Sequence, residues 1–479
     1  MKFTKYFLIG AMMIGFCAPV AAQDEAAVVE QATQIIKSKP ADFEDQMKAI
    51  YKKNRKKADV MVGIGKAFLA EKDTANAKTY CQYALKADSK YAAAFLLLGD
   101  IESEIGNGGE AAKQYEQAIY FDPKNPEAYY KYASVYRKVS PAGAIQKLED
   151  LRIQRPDVAV DALIGHIYYL DNNWNEAISS FGKASSLNEK DLTEYAMACY
   201  FAQKYQKSLE IVNQGLAKAP RDAAFNRLAL FSYTELKDYQ NAITYAKKLF
   251  NESDDPKFSY LDYVYYGNAL NGAKQGAEAI EMYKKALEQD IDNKDKRAGV
   301  YKQMSDAYKQ ANDYKNAIAS YKDYQSNLSK SSVSDLADLG RIYLEYASDT
   351  AVVKDQAEKV SILKEAENVY AEMEKDADAK EYALLYRARV NTMIDPESDQ
   401  GLAKPFYEQL MQTIEAKAEK DKADQARVIE CYRYMAAFSW LKEDNEEAAL
   451  NYYNKILALS PNDPQATQAA EVLTKRLKK

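Results

Sequence analysis

The feature that most constrains this chain is a recurrence of small and large residues in one phase. Counted from Ala58, Gly65 is the eighth residue, Phe68 the eleventh, Ala77 the twentieth and Ala84 the twenty-seventh. Counted again from Ala92, the same places hold Gly99, Glu102, Ala111 and Ala118, and Pro123 closes the segment. From Val158 they hold Gly165, Tyr168, Ala177 and Ala184, with Phe181 at the twenty-fourth place, and from Tyr260 they hold Gly267, Leu270, Ala279 and Ala286, with Tyr283 between. From Ala298 come Tyr308, Ala317, Tyr321 and Tyr324. A pattern kept in phase over many segments specifies stacked units rather than one closed core, because each unit leaves an apolar face that only its neighbours cover.

The spacing reads as two antiparallel helices per unit. Small residues at the eighth and twentieth places let the helices approach closely, and large residues at the eleventh and twenty-fourth fill the space beside that contact. A closing Pro or Asp-Pro ends the second helix. Composition agrees: 12 Pro and 18 Gly in 479 residues leave long runs uninterrupted, and no Val-rich alternating segment suggests a strand. Weaker units follow the same scheme. Pro126–Pro156 carries Ala133, Tyr136, Ala144 and Leu148 with one residue missing from its inter-helix turn. Leu336, Gly340 and Tyr343 resume at Ala366 and Tyr370 only after an inserted stretch, Glu345–Lys364. These residues resemble the tetratricopeptide repeat, whose unit is roughly 34 residues long. The resemblance covers most of the chain and implies an all-α, right-handed superhelical solenoid of antiparallel helix pairs with capping helices.

The expected organisation is a signal peptide over 1–22, N-terminal capping helices over 23–57, a regular array over 58–328, irregular repeats with insertions over 329–463 and a C-terminal capping helix over 464–479. The signal peptide is read from basic Lys2 and Lys5, the apolar run Tyr6–Phe16 and the small residues Val20, Ala21 and Ala22 before Gln23. Its removal takes two Lys and shifts the formal net charge from −6 to −8. Cys17 keeps a lipid-anchored alternative open, although Phe16 is a poor residue to precede a lipidated Cys. These features predict export to the periplasm of a Gram-negative bacterium.

No catalytic residue, metal ligand or cofactor is expected. His166 is the single histidine, which excludes a histidine-rich metal site. Gly63, Gly65 and Lys66 fail as a phosphate loop, because Val60 stands where the first Gly belongs and Ala67 where Ser or Thr belongs. Cys81, Cys199 and Cys431 are widely spaced and read as buried thiols without a disulfide. The acidic balance gives no nucleic-acid footprint.

The resemblance implies protein or peptide binding in a concave groove lined by the first helix of each unit. The groove places hold Tyr130, Arg137, His166, Tyr169, Phe201, Arg227, Phe231, Asn268 and Asn271. Aromatic and Arg side chains are the types enriched where peptides are gripped, but the same set is compatible with ordinary variation on a helix face. Val264, Gln303 and Ser334 break the Lys/Asn/Arg set by which some repeats of this type clamp acidic chaperone tails. Two readings compete with a scaffold or adaptor: a glycan- or peptidoglycan-associated binder using Tyr169, Phe201 and Phe231, and the regulatory arm of an enzyme complex. Thr74 and Thr350, each after Asp and before Ala, resemble acceptors of bacterial O-glycosylation. Both are expected outside the packed helices, Thr74 in an inter-helix turn and Thr350 in the inserted stretch, although Asp-Thr is equally a helix-start or turn pair.

Overall fold

A computed structural model describes residues 20–478. The predicted leader falls mostly outside the described residues, and its last three positions open the first helix. Among the described residues there are twenty-five helices and no strand. They divide into two compact units, the first ending at Pro220 and the second beginning at Arg221.

The first unit contains α1 (Val20–Ser38), α2 (Phe43–Asn54), α3 (Ala58–Ala70), α4 (Thr74–Ala87), α5 (Ala92–Glu104), α6 (Gly108–Phe121), α7 (Pro126–Tyr136), α8 (Pro141–Gln154), α9 (Asp161–Leu170), α10 (Trp174–Lys183), α11 (Glu189–Phe201) and α12 (Tyr205–Lys218). The second contains α13 (Ala223–Glu235), α14 (Tyr239–Asn251), α15 (Tyr260–Gly272), α16 (Gly276–Leu287), α17 (Lys294–Gln310), α18 (Tyr314–Asn327), α19 (Val333–Ser348), α20 (Gln356–Met373), α21 (Lys380–Ile394), α22 (Lys404–Glu415), α23 (Lys422–Leu441), α24 (Glu446–Leu459) and α25 (Pro464–Leu477). Consecutive helices pack as pairs from α3–α4 onward, and within each unit a first helix also meets the next first helix, as α3 meets α5 and α13 meets α15. Each unit is thus a run of stacked hairpins. Helices α1 and α2 precede the first pair, and α25 packs on α24.

The small residues do what their spacing implies. Ala77, Ala111, Ala144, Ala177, Ser208, Ala242, Ala279, Ala317, Ala366 and Ala449 are all at 0% exposure. A Cβ added at Gly267 would lie 2.6 Å from the Tyr283 ring, and one at Gly340 would collide with Tyr370. Glycine at the eighth place therefore clears room for the aromatic ring of its partner helix, which then packs at full density. The contact survives the inserted stretch. The insertion itself is taken up by helix: α19 and α20 are lengthened, and only 349–355 remain between them. Val353 in that loop is buried.

The turn inside seven of the pairs is nearly uniform. Lys72, Gly106, Asn172, Gln203, Lys237, Lys274 and Asn312 have positive φ of 57–79°. The next residue's N–H donates back to a carbonyl five residues earlier, as Asp73 does to Phe68 and Asp313 to Tyr308. This geometry satisfies carbonyls left open at the end of the first helix. Asp73, Asp238 and Asp313 then cap the second helix, each side chain accepting from the N–H three residues on. Thr74 is consequently the first residue of α4, which corrects its expected place in a turn outside the helices; Thr350 lies in the 349–355 loop and is exposed. Pair α7–α8 departs from this turn, as do the longer pairs from α19–α20 onward. Lacking one residue, α7–α8 has no left-handed position, and the N–H groups of Val139 and Ser140 both donate to Tyr136.

Cys81, Cys199 and Cys431 are buried and free, as expected. Burial pushes each thiol up to about 12.

Candidate functional site

The nine predicted groove residues fall into two sets, one in each unit. In the first, His166 on α9 meets Glu194 on α11 at 2.6 Å, and Lys190 stands 3.6 Å from the same carboxylate. The Tyr169 hydroxyl donates to Met197 Sδ at 3.3 Å. Tyr130 donates to the Ala159 carbonyl at 3.5 Å. Three rings run together: Tyr169 lies 5.7 Å from Trp174, and Trp174 lies 4.9 Å from Phe201. Phe201 remains 48% exposed.

In the second unit, Arg227 on α13 donates through Nε to Asp262 on α15 at 2.5 Å and through its terminal nitrogen to the Lys257 carbonyl at 2.8 Å. Asp262 is fully buried, and it also accepts the Ser259 N–H at 2.8 Å, closing a capping box at the start of α15. The Phe231 ring stacks on Tyr265 at 4.1 Å. Asn268 accepts from the Tyr283 hydroxyl at 2.8 Å, so it serves its own repeat. Gln310, with its amide nitrogen turned toward Asn271, donates to Asn271 Oδ1 at 3.2 Å.

Most of these side chains therefore tie one first helix to the next. The partners Glu194, Asp262, Tyr265 and Trp174 were missed by sequence reasoning. Three of them sit on the following first helix, so the readable signal was residue complementarity at a separation of about one repeat. A face whose aromatic and cationic groups are already held loses less side-chain freedom when something binds to it. Arg137 differs. It caps α7 and carries no ion pair among the described residues. With Lys138, Pro141, Ile167, Leu170 and Asp171 it lines a cavity of about 310 Å³ beside the shortened turn.

No group of three or more metal-ligating side chains occurs among the described residues. No helix there is long and apolar enough to cross a membrane.

Fold and faces together define a protein of stacked helical hairpins. A model of the tetratricopeptide repeat matches residues 68–136. No curated protein matches the chain. Similar solved structures include the C-terminal part of a TPR repeat-containing protein from Cytophaga hutchinsonii, with 22% identity, 58% of this chain and 98% of that one covered, and a TM-score of 0.45. A tetratricopeptide repeat protein from Parabacteroides merdae gives 20% identity, 52% and 98% coverage and 0.35. Pseudomonas aeruginosa pilF gives 20% identity, 42% and 95% coverage and 0.34.

Proposed function

We propose that this protein is a non-catalytic scaffold or adaptor of the bacterial envelope, which holds a peptide or a partner domain on the faces built by its first helices. The observation that carries the reading is the set of ties just described. Aromatic, Arg and His side chains are fixed in place by the neighbouring repeat, which suits recognition by shape and hydrogen bonding. The export half of the reading rests on Lys2, Lys5 and the apolar run Tyr6–Phe16. Thr350, exposed in its loop, is the better placed of the two proposed O-glycan acceptors, and intact mass of protein from its own envelope tests it.

The experiment is crosslinked capture from intact envelopes with the wild-type chain and with the Tyr169→Ala/Phe231→Ala double variant. A discrete protein partner, recovered at least about tenfold less by the variant at unchanged helicity, is the expected outcome. Equal recovery by both removes the first-helix faces from the reading. Recovery of wall fragments in place of protein moves the function to glycan binding.

A further inference from the structure

The shortened turn of pair α7–α8 differs from its neighbours in three ways at once. It has no left-handed residue and so does not fold back in the shared manner. Beside it lies the cavity whose apolar lining comes from Pro141, Ile167 and Leu170. Val139, between Lys138 and Pro141 in the chain, is 73% exposed, and Leu170 is 48% exposed. Exposed aliphatic groups at a polar corner lose free energy to water that a partner's apolar side chain recovers.

The charge around the cavity selects among occupants. Arg137 and Lys138 have no ion pair among the described residues, and Asp171 is the one acidic lining residue. The balance of the lining is cationic. A carboxylate placed beside an apolar anchor meets two cations in the lining, while Asp171 accepts a backbone or side-chain N–H. The volume sits at the small end of ligand sites and suits one or two side chains. The edge continues along α9 and the turn that follows it, from Leu170 to the Tyr169–Trp174–Phe201 rings. Three corners of the second unit, α13–α14, α15–α16 and α17–α18, lack this character: Lys237, Lys274 and Asn312 are exposed there, and Leu236 is half-buried; an exposed aliphatic side chain recurs at the α23–α24 corner as Leu441.

We infer that this turn edge of the first unit is a docking site for a partner protein's peptide segment, one that inserts an aliphatic or aromatic anchor between Pro141 and Leu170 and sets an Asp or Glu against Arg137 and Lys138. The inference rests on the protein-binding reading and moves the contact from the first-helix face to the turn edge. A second copy of the chain meeting the edge about a twofold axis brings Arg137 and Lys138 against themselves, which disfavours that occupant. A concave cavity fits a protruding side chain better than a flat lipid surface.

The test is selection of a phage-displayed library of random peptides on the immobilised full chain, followed by fluorescence titration of the enriched peptide. The expected consensus has Leu, Ile or Phe within two positions of Asp or Glu. Leu170→Asp and Arg137→Glu are each expected to weaken the peptide by about tenfold or more, with circular dichroism unchanged, and Lys274→Glu to leave it unaltered. No enriched consensus, a basic consensus, or binding indifferent to both edge variants overturns the inference. If Phe231→Ala alone abolishes binding, the edge is wrong and the first-helix reading stands. A dimer in sedimentation that Leu170→Asp dissolves assigns the edge to a second copy and likewise overturns the peptide.

Discussion

Pair α7–α8 lost a residue and pair α19–α20 gained many, and the two responded in different places. The loss appears at the surface: the turn reshapes, a cavity opens and Val139 is left in water. The gain is absorbed along the helix axes, where α19 and α20 extend and a short loop holds the surplus. The helix contact is unchanged in both. Ala133, Ala144 and Leu148 are fully buried in the first pair, as Ala366 and Tyr370 are in the second. A helix can take up whole extra turns beyond the contact without altering its register, whereas a deletion inside a tight turn has nowhere to go but the turn. The packing positions are thus the invariant of the fold, and turns and helix ends are where sequence variation becomes surface.

The sharpest way to break this comparison is Gly340→Leu. The new side chain must occupy space held by the Tyr370 ring. Equilibrium unfolding in denaturant is expected to show a loss of about 3 kcal/mol or more. An unaltered transition means that the long pair is looser than the short ones. Next comes the pairing of Ala144→Leu with Ala177→Leu, the same change in the shortened pair and in a regular neighbour. Both are expected to cost about 1–3 kcal/mol, and to the same extent. A much smaller effect at Ala144 says that the deletion reached the helix contact.

A smaller effect is expected from insertion of Gly after Lys138, which restores the turn length. Thermal stability should rise by less than about 1 kcal/mol through better satisfied carbonyls, while the selected peptide is lost. Retained binding with a regular turn means that the deviation is incidental to the site. The smallest expected effect is on the thiols. Because burial raises all three, stability contains no thiolate component near neutral pH, and native protein at pH 8 should resist alkylation at Cys81, Cys199 and Cys431. Mass analysis after denaturation should then find all three modified, and rapid native labelling of any one marks an open repeat.

The hairpins were legible because their contact needs particular sizes at particular places, and those sizes can be read as residue types. The extension of α19 and α20 was not, because lengthened turns beyond the contact carry no packing requirement; 345–364 therefore resembled inserted loop. Thr74 was read as turn for a related reason: the cap at Asp73 is a side-chain bond to the Asn76 N–H, and it starts α4 at Thr74 itself. The candidate face was readable as a set of positions but not as a set of bonds. His166 and Arg227 looked available because their partners, Glu194 and Asp262, lie about one repeat further along the chain. The cavity at Arg137 was visible only as a missing residue.

Six of the seven left-handed turn positions hold Lys, Asn or Gln, and only Gly106 is the residue that adopts this backbone freely. A side chain in that conformation costs about 1 kcal/mol. What the chain has in return is an exposed charged or amide group at each of those six positions. In colloidal terms these groups are spacers that keep molecules apart. The corner at 137–141 has no left-handed residue and exposes Val139 beside the charged Lys138, so an apolar side chain meets water there when no partner is bound. Val139→Lys should raise the concentration at which the protein stays dispersed, and an unchanged solubility limit would assign self-association to another surface.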